Sequence, residues 1–77
     1  MYKATFDDLR DAGKKACEHM KTHGFRHVVY AYIAKDDPDA IRVLDWDLIR
    51  FDSDEDFDAY VNDCHPNAEM IYAVHAR

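Results

Sequence analysis

A chain of 77 residues with 48% hydrophobic residues, two glycines and two prolines is expected to fold as one compact domain, 1–77. Little room then remains for a deep, shielded active site. Sixteen Asp and Glu against ten Lys and Arg give a net charge of −6, which disfavours direct binding of phosphate backbones. No apolar run approaches the roughly 20 residues of a membrane span.

Thr5 opens the first predicted helix with a capping-box pattern, Thr5 at the N-cap and Asp8 at the third helical position. Phe6, Leu9, Gly13, Ala16, Cys17 and Met20 follow at helical spacing, and Gly24 supplies the stop. Phe25–Ala34 is β-branched and aromatic and reads as a strand. Lys35–Asp39 is a turn around Pro38. A second strand is expected from about Ala40 to Phe51, with Leu44, Trp46 and Leu48 alternating against Asp45 and Asp47.

Ser53 caps a second helix whose first turn holds Asp54, Glu55 and Asp56; its inner face is Phe57, Tyr60, Val61 and Cys64, and Pro66 helps end it. Glu69–Ala76 is a last strand. The order is α-β-β-α-β, an α+β sandwich with an antiparallel or mixed sheet covered on one face by two helices. If Met1–Ala4 adds a very short first strand, the order becomes β-α-β-β-α-β, the ferredoxin-like arrangement. Strict alternation places Val29, Ala31, Ile33, Ile71 and Ala73 under the helices. Tyr30, Tyr32 and Tyr72 then share the other face, beside Asp45 and Asp47.

Cys17 and Cys64 fall in unrelated elements and read as free thiols on buried helix faces. With no secretory segment in the sequence, the expected setting is soluble and cytoplasmic.

Most patterns that announce chemistry fail in detail. Asp52-x-Asp54-x-Asp56 resembles the start of a calcium loop, but Phe57 and Asp63 stand where that loop needs glycine and a bidentate Glu. His19 and His23 share a helix face at metal-binding spacing, with Glu18 beside them, but spacing supplies no third ligand. Cys64 and His65 are adjacent in sequence near a helix C-terminus, where the dipole raises a thiol pKa. Gly13 and Gly24 form no phosphate loop. Tyrosines on a sheet are how RNA-recognition domains stack bases, but carboxylates beside them repel phosphate. No catalytic residue, cofactor or metal is implied, and the chain reads as a non-enzyme.

The distribution of charge is the strongest signal. Residues 1–35 hold seven Lys/Arg and four Asp/Glu, whereas residues 36–69 hold two Lys/Arg and twelve Asp/Glu. Thirteen of the sixteen acids are Asp, although Glu is the better helix former. Asp45 and Asp47 on one side of a strand would stand roughly 7 Å apart, and Asp52, Asp54, Glu55, Asp56 and Asp58 continue the array. Such a surface fits a basic groove built for nucleic acid and associates with it by electrostatic steering.

In size, and in the Asp-rich stretch Asp36–Asp63, the chain resembles the small acidic inhibitors that bacteriophages make, anti-CRISPR proteins and other nucleic-acid mimics among them. The resemblance implies blockade of a guide-loaded CRISPR effector's positively charged DNA channel, without enzymatic activity, in the cytoplasm of an infected host. Two other readings stay open: a structural or regulatory module that dimerises through Tyr30, Tyr32 and Tyr72, and a metal-dependent enzyme or sensor.

Overall fold

The computed structural model describes residues 4–44, 48–63 and 68–76, so Asp45, Trp46, Asp47, Cys64, His65 and Pro66 lie outside the described residues. The elements are α1 (Phe6–His23), β1 (His27–Ala34), β2 (Asp37–Val43), β3 (Ile49–Phe51), α2 (Asp54–Asp63) and β4 (Ala68–His75). The α+β class and the order of helices and strands are those expected from the sequence.

Local chemistry sets the ends of α1. Thr5 Oγ1 accepts from the Asp8 N–H at 3.2 Å, and Asp8 Oδ2 accepts from the Thr5 N–H at 2.8 Å, which closes the capping box. At the other end Gly24 adopts φ 73°, and its N–H donates to the Met20 carbonyl at 2.7 Å. Ala12 and Ala16 are buried against the sheet, and such short side chains allow the helix to approach closely. Phe6, expected on this inner face, is 81% exposed.

Gly13 faces the ring of Tyr30, where an added Cβ would meet it at 3.4 Å, an ordinary contact. The two glycines therefore respond oppositely to alanine. Gly13→Ala is expected to stabilise the fold by about 0.5–1 kcal/mol through helix propensity. Gly24→Ala is expected to destabilise it by about 1 kcal/mol, because alanine resists a left-handed backbone. Chemical denaturation of both variants checks this, and shifts of the same sign would contradict it.

β1 is the axis of the sheet. β4 pairs along one side of it, while β2 and β3 share the other side, and every pairing is antiparallel. The single strand expected from Ala40 to Phe51 is thus two strands. Val43 stands opposite Ala31 and Ile49 opposite Val29, so residues 44–48 separate two pairs between which β1 has only Tyr30. The Leu44 N–H still donates to the Tyr30 carbonyl, at 2.8 Å. β2 also begins earlier than expected, at Asp37, and takes in Pro38. Of the expected first strand, Met1–Lys3 lie outside the described residues, and Ala4 forms a bridge with Ile41. That bridge lies on the outer edge of β2, and a ferredoxin-like sheet would hold its first strand inside.

Strict alternation along β1 does not hold. Val29 pairs with Ala73, but Ala31 pairs with Tyr72, so a β-bulge at Tyr30 inserts one residue and reverses the facing of the strand beyond it. Before the bulge, Val28 shares a face with Val74 and Arg50; after it, Ala31 shares that face with Tyr72 and Val43. α1 lies on this face. Its Gly13 meets Tyr30, and its His19 receives a hydrogen bond from Arg50 at 3.3 Å.

The opposite face carries His27, Phe51 and His75, and it is there that Phe57 of α2 packs. The helices therefore lie on opposite faces of the sheet, not together on one. Burial agrees: Val28 and Val29 point to opposite faces, and both have 0% exposure. A sheet with one open face would leave one of them in water.

Candidate functional site

α2 is short, and its anchor is aromatic. Phe57 stacks on the His27 ring with centroids 4.4 Å apart and 18° between planes, and meets Phe51 and His75 edge-on at 5.7 and 5.0 Å. Tyr60 leans on Phe51 at 5.1 Å. Val61, expected on the inner face, is 39% exposed. The helix start is fixed by Ser53, whose Oγ accepts from the Asp56 N–H at 3.1 Å.

This docking brings Asp54 against the end of β1. Arg26 donates from Nε to Asp54 Oδ1 at 2.5 Å and from Nη2 to Oδ2 at 3.2 Å, a two-pronged grip on the carboxylate. His27 Nε2 donates to the same Oδ1 at 2.7 Å. On its far side, His27 Nδ1 lies 2.8 Å from His75 Nδ1. A continuous chain of polar contacts thus runs Arg26–Asp54–His27–His75 and ties α2, β1 and β4 together. His27 is 8% exposed, the one polar residue among the buried ones of the described structure.

The hydrogen bonds from Arg26, and secondarily from His27, hold the Asp54 carboxyl down from 3.8 to about 2, and the same bond raises the Arg26 guanidinium. A carboxyl depressed by folding stabilises the native state above its unfolded pKa, and that contribution is lost as pH falls through the folded value. The stability margin of the wild type over Asp54→Asn is therefore expected to close as pH falls from about 4 toward 2. Urea unfolding across this range measures it, and a margin unchanged at pH 2 would contradict the assignment.

The other expected carboxylates differ from Asp54. Asp52, Glu55, Asp56 and Asp58 are all exposed, and among the described residues none forms an ion pair with Lys or Arg. The last turn of α2 has no base, and Asp63 closes it, although the helix dipole favours a cation there. The same dipole favours Glu55 and Asp56 in the first turn, but it gives no reason for Asp58 and Asp63. Asp45 and Asp47, which the sequence makes the centre of the array, lie outside the described residues.

The aromatic face expected beside them does not form. Tyr30 is packed against α1, where burial and then the neighbouring Cys17 and Tyr72 raise its hydroxyl pKa. Tyr72 is on the same face, 6.3 Å from Tyr30 between ring centroids. Tyr32, beyond the bulge, pairs with Arg42 and Ile71 on the opposite face. The bulge at Tyr30, which alternation cannot foresee, separates the three.

Between α2 and β4 a groove of about 460 Å³ is lined by Phe57, Val61, Glu69, Ile71, Ala73 and His75, and Tyr30 and Tyr72 border it as well. On the α1 side, Leu44 and Leu48 line a hollow of about 420 Å³ with Ala12, Lys15 and Val43.

His19 and His23 stack at 4.1 Å. The His23 Nδ1–H donates to the His19 carbonyl at 3.1 Å, and His19 Nε2 accepts from Arg50. Burial, with His23 and Arg50 nearby, lowers the His19 pKa. Among the described residues, no group of three or more His, Cys, Asp or Glu side chains converges as a metal site does. Cys17 is a free, half-buried thiol. Among the described residues, no helix is long and apolar enough to cross a membrane.

Sequence reasoning missed the Arg26–Asp54–His27–His75 chain. His27 begins β1 and His75 ends β4, so an antiparallel pairing of those two strands would have set them side by side. No family model, curated protein or solved structure matches this chain.

Proposed function

We propose that this protein is a non-enzymatic binding module whose acidic α2 surface docks on a basic, nucleic-acid-binding groove of a partner protein and keeps nucleic acid out. The observation that carries the reading is the division among the carboxylates. Asp54 is held by a cation of the chain itself, whereas Asp52, Glu55, Asp56 and Asp58 are exposed and have no such cation among the described residues. On a helix, residues three and four apart lie about 5–6 Å from one another, the same order as neighbouring phosphates on a strand. The carboxylates along α2 therefore present closely spaced negative charge on a rigid rod.

A guide-loaded CRISPR effector channel is one groove of this chemistry, in keeping with the resemblance to anti-CRISPR proteins. Immobilised protein, exposed to extract from the native host, is expected to retain a basic partner that added duplex DNA or raised salt releases. A partner indifferent to both would overturn the proposal.

A further inference from the structure

The contact between His27 and His75 restricts where hydrogens can be. Two imidazole nitrogens 2.8 Å apart form a hydrogen bond only if one carries a hydrogen and the other is bare. Two bare nitrogens oppose their lone pairs, and two N–H groups drive hydrogens into the same space. The Asp54 carboxylate only accepts, so the hydrogen between it and His27 is on Nε2. In the neutral pair each ring has one hydrogen. That of His27 is already placed, so its Nδ1 is bare, and the shared hydrogen belongs to His75 Nδ1. His75 is thereby held as the Nδ1–H tautomer, with its Nε2 bare.

One added proton fits this arrangement. It enters at His75 Nε2, and the shared hydrogen either stays or moves across to His27 Nδ1, where the charge lies next to Asp54. A second added proton does not fit, because both Nδ1 atoms then carry hydrogen. We propose that the His27–His75 contact is a one-proton latch, which joins the end of β4 to β1 until a second proton enters the pair and then opens.

The surroundings decide which ring leaves. His27 is buried, stacked on Phe57 of α2, faced by Phe51 of β3 and fixed by Asp54, whose own partner is Arg26. His75 is exposed, and among the described residues its ring contacts are with His27 and the edge of Phe57. Opening therefore turns His75 outward. The bond from the Ala76 N–H to the Arg26 carbonyl, 2.7 Å long, is the next link between the two segments and loosens with it. Because His75 lines the groove between α2 and β4, the same movement opens that end of the groove. Acidification thus reshapes one surface of the protein while the rest of the sheet stays paired.

Nuclear magnetic resonance of the ring nitrogens in the intact protein tests the latch. With both rings neutral, in alkaline solution, His27 is expected as the Nε2–H tautomer and His75 as the Nδ1–H tautomer. Both rings as Nε2–H would overturn the assignment. On acidification, the protection of the Ala76 amide, its exchange relative to the unstructured rate at the same pH, is expected to fall at least tenfold before that of Val28 and Val29 changes. In His75→Gln, which cannot take up a proton, that early loss of protection is expected to vanish. Its persistence in the variant, or simultaneous loss of protection at all three amides in the wild type, would also overturn the latch.

Discussion

Replacing Phe57 by alanine is expected to destabilise the protein by about 3 kcal/mol, the lower end for a phenylalanine truncation because the ring is only half-buried. In a domain of this size that lowers the melting temperature by roughly 12–24 °C. The reason is the position of α2, alone on its face of the sheet. Phe57 meets His27, Phe51 and His75 at once, and Tyr60 adds only its contact with Phe51. Without the Phe57 ring, His27 also loses its cover, and a buried imidazole bonded to a carboxylate faces water. Thermal unfolding monitored by circular dichroism measures the loss. A change below about 1 kcal/mol, within the range of ordinary surface substitutions, would show that α2 is held by something else.

The second large effect is on binding. Glu55→Lys, Asp56→Lys and Asp58→Lys together are expected to weaken partner binding by roughly 100-fold or more. Each exposed pair contributes about 0.5–1 kcal/mol, and reversal turns that attraction into a repulsion of similar size, about 1–2 kcal/mol per site. The fold is expected to survive, because none of the three side chains is buried or ion-paired within the described structure. Asp54 does not belong in such a set, although its place in the sequence puts it there. A lysine at that position would face the Arg26 guanidinium and the buried His27. Loss of binding in that variant would report a damaged fold and not a lost contact.

Asp54 shows where the sequence is readable and where it stops. Its helix-starting role follows from Ser53 three residues before Asp56, because caps are local and one side chain bonds a backbone group a turn away. Thr5, Asp8 and Gly24 were legible for the same reason. The grip of Arg26 and His27 on Asp54 spans 28 and 27 residues and depends on which strands pair, and spacing along one element carries no such information.

Tyr30 makes the same point for the sheet. A period of two assigns every side chain of β1 to a face, but a single bulged residue reverses the assignment beyond it, and bulges leave no mark in composition. The placement of both helices on one face failed for a related reason. It needed the order of strands, and here β4 adds to β1 on the side away from β2 and β3. The acidic character of α2, by contrast, was visible in the sequence, because a helix with Phe57 and Tyr60 turned inward exposes its remaining positions.

Recognition of a basic groove by the free carboxylates of α2 has a kinetic signature as well as an affinity. Oppositely charged surfaces steer one another together, and salt screens that attraction, so the effect falls on the association rate. The decisive measurement is the association rate constant of the purified partner with the wild type and with the triple reversal, from about 0.05 to 0.5 M salt. The wild-type rate is expected to fall steeply with salt, and that of the variant to be slow and nearly flat or to rise. Equal rates with equal salt dependence would contradict the claim that the acidic face of α2 is the binding surface.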